Sequence, residues 1–177
     1  MSGNTAGGDR ILGTLGSADG KGVVRMEDRY DTDVADLWSA LTQPDRLARW
    51  LGDFEGDLRV GGEFKAHFFA SGWEGTGRVE ECEPPHSLRV ATRGTGAPHE
   101  HSIEAMLTAD GDNTVLVIEA RGMPLDLLAA YGAGNQVHLE DLAAHIAGRD
   151  RVDAEARWAE LEPHYAQLVA DGTPPSA

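Results

Sequence analysis

The amino-acid sequence predicts an α+β domain in which a curved antiparallel sheet wraps around one long C-terminal helix. Six segments between Phe54 and Arg121 alternate apolar and polar residues, and short connections rich in Gly and Pro join them. After Pro124 apolar residues recur at steps of three and four, as they do on one face of a helix. Because a parallel crossover needs about a dozen residues or more, the short connections predict antiparallel neighbours.

The chain before the sheet segments predicts a strand followed by two short helices. Residues 23–31 alternate as a first strand, and Thr32 or Asp33 can cap the helix that follows. Pro44 is tolerated in the first turn of the second helix. The apolar side chains of this helix pair lie at helical spacing: Val34, Leu37, Trp38, Leu41, Leu47, Trp50 and Leu51.

The stretch DLRVGGEF places two adjacent glycines between two strand segments. Glycine adopts positive φ angles without a steric cost, so we expect Gly61 and Gly62 to form a hairpin turn. The six predicted strand segments are residues 54–60, 63–69, 72–83, 87–93, 101–110 and 113–121.

The last elements are predicted to be helical. Pro124 precedes a long amphipathic segment, Gly148 is a suitable stop, and residues 157–170 predict a shorter terminal helix. The stripe of the long helix is Leu128, Tyr131, Asn135, Leu139, Leu142 and Ile146.

The predicted organisation is one central domain with extensions at both ends. We expect residues 1–22 to form a flexible or partly ordered arm, in which residues 11–15 could serve as an edge strand, and residues 23–148 to form the domain. Residues 149–170 are expected to add a helical extension, and residues 171–177 a disordered tail.

The composition argues against several functions. The chain has 177 residues and a formal net charge of -15, which opposes binding to nucleic acids and to anionic membrane surfaces. No run approaches the roughly 20 apolar residues that span a bilayer, so we expect no membrane insertion. The single cysteine, Cys82, excludes an internal disulfide and favours a reducing compartment, so we expect a cytoplasmic protein.

Five motifs in order resemble a known family: DLWSALTQPDRLARWL, DLRVGGEF, GRVEECEPPHSLRV, DGDNTVLVIE and HLEDLAAHIAG. They are similar to the family named for activators of the heat-shock chaperone ATPase (AHSA type), within the START-like or SRPBCC superfamily, over roughly residues 23–148. The resemblance implies a helix-grip fold, like that of the birch-pollen allergen, with a cavity between the long helix and the sheet. Members of the superfamily bind lipids, sterols, hormones or polyketides, and some catalyse aromatisation, cyclisation or hydrolysis.

Function then depends on which side chains point into that cavity. From strand alternation and the helix stripe, the predicted lining residues are Trp38, Trp50, Phe64, Phe68, Trp73, Met106, Leu128, Tyr131, Asn135, His138 and Leu139. We predict no catalytic residue, no metal and no cofactor.

Several of these residues keep two interpretations. Many relatives carry a Trp where this chain has Asn135, so the amide could leave space and orient a ligand, or it could lie at the rim with a protein partner. Gly132 and Gly134 could open the helix for a ligand or allow close packing. Tyr131 could bind a ligand or simply fill the core, and His138 could act as an acid or base or lie at a wet helix flank.

Other titratable residues give weaker signals. His99 and His101 share a strand face, but no carboxylate or cysteine at metal-ligand spacing accompanies them. Cys82 has no nearby cation in sequence and is interpreted as structural, and the run of Glu80, Glu81 and Glu83 as a solvated edge.

Three functions remain open from the sequence. The first is the binding of a small, largely apolar molecule, lipid-like or polyketide-like, by a monomer or weak homodimer. The second is a cyclase-, aromatase- or hydrolase-like enzyme on the same cavity. The third is a stress protein that contacts a chaperone ATPase.

Overall fold

The computed structural model describes residues 10–172, which form an eight-stranded antiparallel sheet and four α-helices. The strands are β1 Gly13–Ala18, β2 Lys21–Tyr30, β3 Gly52–Gly56, β4 Glu63–Phe68, β5 Glu74–Glu83, β6 Ser87–Gly94, β7 His101–Asp110 and β8 Asn113–Met123. The helices are α1 Val34–Thr42, α2 Pro44–Trp50, α3 Leu128–Ile146 and α4 Ala154–Ala170, and a 3-10 turn, Leu125–Leu127, precedes α3.

The strand order is β1-β2-β8-β7-β6-β5-β4-β3, and all neighbours are antiparallel. Strands β3 to β8 form a continuous meander, and β2, which precedes the helix pair in the chain, pairs with β8. The α+β, helix-grip prediction is therefore confirmed, because the long helix α3 packs across this sheet.

A strand precedes the one predicted as first. Strand β1 pairs with β2 across a tight turn in which Asp19 and Gly20 have φ angles of 53° and 77°, the geometry of a two-residue hairpin. It forms one edge of the sheet, so residues from Gly13 onward are part of the sheet. The predictions for residues 1–9 and 173–177 fall outside the described residues.

The two adjacent glycines have different roles. Gly61 has a φ angle of 81°, as predicted. The prediction is wrong for Gly62, whose φ angle is not positive; a Cβ atom there would lie 2.4 Å from the carbonyl oxygen of Asp57. The connection is a loop of six residues rather than a two-residue turn, and Asp57 accepts a hydrogen bond from the backbone N–H of Arg59 (2.9 Å). Gly62 is therefore required by close backbone approach.

The core is filled at the end of the domain where α1 and α2 pack. Among the large apolar side chains of the core, Met26, Leu37, Leu116 and Leu142 are fully buried. Trp50 is 3% exposed and its indole N–H donates to the carbonyl of Ala40 (2.9 Å), which joins α2 to α1.

A buried polar cluster fixes α3 against β1 and α4. The Gln136 side chain oxygen accepts hydrogen bonds from the hydroxyl of Tyr165 (2.6 Å) and from the backbone N–H of Leu12 (3.1 Å). The Gln136 amide nitrogen donates to the carbonyl of Arg10 (2.7 Å), and the Tyr165 hydroxyl accepts from the N–H of Gly13 (3.1 Å). One amide in α3 thus connects the edge strand and the terminal helix.

Two further contacts hold α4 beside α3. The guanidinium of Arg157 binds both carboxylate oxygens of Glu140 at 2.8 Å, a bidentate pair that fixes direction as well as distance. Asp141 accepts a hydrogen bond from the backbone N–H of Val152 (2.8 Å) in the connection between the helices. The start of α4 is therefore anchored to α3.

Removing the Tyr165 hydroxyl should weaken this cluster. We expect Tyr165→Phe to lower the free energy of unfolding by about 1 to 3 kcal/mol, because buried groups on Gly13 and Gln136 lose a partner. Urea denaturation measures the change. Tyr131→Phe is a matched control, since the Tyr131 hydroxyl has no hydrogen-bond partner among residues 10–172. Equal losses in both variants would contradict the role of the cluster.

Candidate functional site

A cavity of about 600 Å³ lies between the first half of α3, the sheet and the start of α4. Small residues on the helix and on the sheet leave the space between them unfilled. Thr92 and Ala120 contribute from the sheet, and Ala130 and Gly134 from α3. The side chains around it leave a space between the bent sheet and the helix that neither fills.

Two pairs of aromatic rings in the cavity wall meet across the gap between helix and sheet. Phe68 on the sheet contacts His138 on α3 edge-to-face, with ring centroids 5.3 Å apart. His101 on β7 contacts Tyr131 on α3 in the same way, at 5.5 Å. Edge-to-face pairs at these distances are favourable, so they hold the helix at a fixed distance from the sheet.

Trp73 lines the cavity and packs against two glycines of the sheet. Gly75 and Gly94 are direct partners in the pairing of β5 with β6. A Cβ atom on Gly75 would lie 2.5 Å from the indole ring, and one on Gly94 would lie 3.1 Å from its nitrogen. Phe68 stacks on the same ring, with centroids 4.8 Å apart. The missing side chains therefore set the position of Trp73.

The two glycines of α3 have different roles: Gly132 allows close packing, and Gly134 leaves open space. A Cβ atom on Gly132 would lie 2.6 Å from the ring of Tyr165, so Gly132 allows α4 to pack closely on α3. A Cβ atom on Gly134 would meet nothing within 4 Å. Gly134 lines the cavity, so its missing side chain is cavity space.

Asn135 and Tyr131 bring polar groups to the cavity. The Asn135 amide nitrogen donates to the carbonyl of Tyr131 (2.9 Å). The amide therefore has a partner within the protein. The Asn135 side-chain oxygen has no hydrogen-bond partner among residues 10–172. Burial raises the pKa of the Tyr131 phenol, which keeps it protonated as a donor at neutral pH.

His138 is the most deeply enclosed titratable group of the cavity. Its Nδ1 atom is inaccessible to solvent and has no hydrogen-bond partner in the described part of the chain. Burial lowers the pKa of His138 to about 4, so the imidazole is neutral at physiological pH. The side chain is half-buried with its Nδ1 atom enclosed, so the ring meets the cavity as a neutral polar group.

Five of the eleven predicted residues line the cavity: Phe68, Trp73, Tyr131, Asn135 and His138. The other six do not. Trp38 and Trp50 pack in the core of the helix pair, and Leu128 and Leu139 are 6% exposed in the core beneath α3. Phe64 packs with Ala66 and Val79 in a second, smaller core cluster.

Met106 is on the opposite face of the sheet from the cavity. Its neighbours Ala105 and Leu107 are buried, whereas Met106 is 37% exposed. The physical reason is the period of two along a strand: an error of one position moves a side chain to the other face. His101 and Ile103 of the same strand do line the cavity.

Some residues that line the cavity were not predicted from the sequence, among them His101 and Trp158. His101 was grouped with His99 as a pair on one face, and the pairing with Tyr131 gives it a different setting. No cluster of three potential metal ligands occurs among residues 10–172. Trp158, at the start of α4, also lines the cavity. Helical spacing alone does not show on which side α4 docks.

Two remaining sequence interpretations concern exposure. Cys82 is half-buried, and burial raises the pKa of its thiol, which disfavours a reactive thiolate.

Across residues 10–172, the helices are all too short or too polar to cross a bilayer.

Comparison with known proteins identifies related sequences and folds. Residues 31–147 match the family of activator of Hsp90 ATPase homolog 1-like proteins. No curated protein matches the chain.

Solved structures share the fold over most of the chain. The crystal structure of CalU16 from Micromonospora echinospora is 29% identical, with a TM-score of 0.74 and coverage of 89% of this chain and 97% of CalU16. DynU16, from the dynemicin biosynthetic locus, is 25% identical, with a TM-score of 0.67 and coverage of 74% of this chain and 50% of DynU16. A Bordetella parapertussis protein, 23% identical with a TM-score of 0.67 over 89% of this chain and 92% of its own, shares the fold.

The contrast between the two helix glycines can be tested by adding one methyl group to each. We expect Gly134→Ala to raise the free energy of unfolding by up to about 1 kcal/mol, because Ala favours the helix and the space is open. Gly132→Ala should lower it, because the methyl group collides with Tyr165. Urea denaturation measures both, and changes of the same sign would contradict the assignment.

The lowered pKa of His138 predicts a pH dependence of stability. The folded-state pKa lies below the unfolded value, so the stabilisation is complete above about pH 6.5 and is lost as the pH falls toward about 4. The loss should be about 2 to 3 kcal/mol between about pH 7 and about pH 4.5. His101 and His145, whose pKa values burial also lowers, add to the same trend.

A variant isolates the part due to His138. In His138→Gln, which does not titrate, the free energy of unfolding should fall less on acidification by that amount, while His101 and His145 contribute equally to both proteins. The same pH dependence in the variant and the parent would show that His138 is solvated.

Proposed function

The chain belongs to the family of activator of Hsp90 ATPase homolog 1-like proteins, and we propose that it binds a small, largely apolar molecule in the cavity between α3 and the sheet. The observation that carries this proposal is the empty volume at Gly134. A position that points into about 600 Å³ of space and bears no side chain leaves room for a ligand of 20 or so heavy atoms.

The chemistry of the walls supports the same function. Apolar and aromatic side chains supply affinity by removing ligand surface from water. Three of the cavity's polar groups have no hydrogen-bond partner among residues 10–172 and can bind a ligand: the Asn135 side-chain oxygen, the Tyr131 hydroxyl and the His138 Nδ1 atom. Sites of this composition bind apolar molecules and use a small number of hydrogen bonds to orient them.

The related structures agree with this proposal. DynU16 is placed in a biosynthetic locus, which links a protein of this fold to small-molecule chemistry. We extend that link to this chain and infer a lipid-like or polyketide-like ligand, held by a monomer or weak homodimer. The single cysteine favours a reducing environment, so we place this function in the cytoplasm.

An enzymatic role on the same cavity is the second candidate. Its specific support is the unpartnered Nδ1 atom of His138 in the cavity wall, since an acid or base must be near the reacting atoms. A pKa of about 4 makes His138 a weak base at neutral pH, so the binding function has the stronger support. A contact with a chaperone ATPase rests on the family name alone. A cavity filled by Trp38, Trp50, Trp73 and Tyr131 would favour it. Trp73 and Tyr131 line the cavity but leave about 600 Å³ open, and Trp38 and Trp50 pack in the core.

Filling the cavity from Gly134 tests the binding function. Native mass spectra of the purified protein, taken before and after mild organic extraction, report any small molecule that co-purifies. We expect an adduct at a ratio of one per chain in the parent protein and in Gly134→Ala. We expect none in Gly134→Leu, whose side chain occupies the open space.

The Gly134→Ala variant is the matched control, because it changes the helix at the same residue and leaves most of the volume. An adduct that persists at full ratio in Gly134→Leu would place the ligand elsewhere. The absence of any adduct, together with a parent protein that binds no apolar fluorescent probe, would overturn the binding function.

A further inference from the structure

The charge of the cavity wall restricts the ligand further. Across the described residues 10–172, no lysine or arginine lines the cavity, and the only charged side chain is that of Glu155 at its rim. The other polar side chains of the lining are uncharged at neutral pH: Ser71, Thr92, His101, Tyr131, Asn135 and His138. An anion placed inside would lose its hydration without gaining a cationic partner.

From this arrangement we propose that the cavity selects uncharged or positively charged ring compounds and rejects anions, including the carboxylates of fatty acids. This inference rests on the proposed binding function and defines its ligand class. Moving an unpaired ion into an apolar site is far more costly than moving a neutral group of the same size.

The rings of the wall favour a ligand that itself contains rings. Phe68, Trp73 and His101 face the cavity from the sheet side, and Tyr131, His138 and Trp158 from the helices. Flat faces and edges of this kind pack on other rings at defined distances. They also attract a cationic group, and Glu155 lies beside Trp158 on the same turn of α4.

Two cations outside the lining could attract an anion. The Arg151 guanidinium lies 4.7 Å from the centroid of the Phe69 ring, between lining residues Phe68 and Ala70 in sequence, and does not itself line the cavity. Lys21 is exposed, and its charge contributes to lowering the pKa of His101, so it is close to that ring. It is not among the lining residues, and an exposed charge attracts only weakly through water. The formal net charge of the chain, -15, acts on anions in the opposite direction.

Two fluorescent probes that differ by one sulfonate test the proposal. N-phenyl-1-naphthylamine is uncharged at about pH 7.5, whereas 1-anilinonaphthalene-8-sulfonate has the same ring system and one negative charge. We expect the anionic probe to bind at least about tenfold more weakly to the full chain. The ratio should persist when salt rises from roughly 20 mM to roughly 0.5 M, because salt screens Lys21 and the net charge but not the cavity.

A matched pair of variants at Asn135 makes the test specific to the cavity wall. Asn135→Lys introduces an ammonium group beside the open space, and Asn135→Met introduces a side chain of similar length without charge. We expect the lysine variant to strengthen binding of the anionic probe about tenfold or more relative to the methionine variant. Binding of the uncharged probe by both variants reports that the cavity is intact.

The outcomes separate this inference from the function on which it rests. If neither probe binds the parent protein, both are overturned. If both probes bind equally well, or if their ratio approaches one in high salt, a binding cavity remains and the charge selection is wrong. If the lysine variant gains nothing over the methionine variant, the wall does not set the selection.

Discussion

The position of α3 depends on one buried amide. Gln136 joins the edge strand β1 and the terminal helix α4 to α3 through hydrogen bonds to Leu12, Arg10 and Tyr165, and it is 0% exposed. A buried amide that has found all its partners resists displacement, because any shift leaves polar groups without water. With one side of α3 fixed in this way, the helix cannot move down onto the strands at the far side of the sheet.

The cavity follows from that fixed geometry and from where small residues occur. On the side held by Gln136, Gly132 lets the ring of Tyr165 approach and the packing is close. On the other side, Gly134 and Ala130 face Thr92 and Ala120 across a gap that none of them fills. One face of α3 is therefore closely packed, at Gly132, and another borders open space, at Gly134.

The sequence predicted the fold well and the site only partly. The period of two, the short connections and Pro124 are local signals, and they determine the antiparallel sheet and the long helix. The face that each residue presents depends on register, and Met106 was assigned to the wrong face for that reason. Trp38 and Trp50 have the size expected of cavity-lining residues, but their helices pack on each other and on the filled end of the core.

The residues that were missed are those whose role depends on long-range neighbours. The Gln136 cluster joins residues 124 and 126 positions apart, and no local pattern in the sequence indicates it. His101 acquires its role through Tyr131, which lies on another element. The open space at Gly134 is likewise a property of what α3 faces, which spacing along a helix cannot show.

The central claim is that the space beside Gly134 is where small molecules bind. Isotope-filtered nuclear Overhauser spectra of ¹³C-labelled protein with unlabelled N-phenyl-1-naphthylamine measure which protons the bound molecule contacts. We expect contacts to the α-protons of Gly134, the methyl of Ala130 and the ring of Phe68. Contacts confined to the outer face of the sheet, for example to Lys65 and Thr76, would contradict the account.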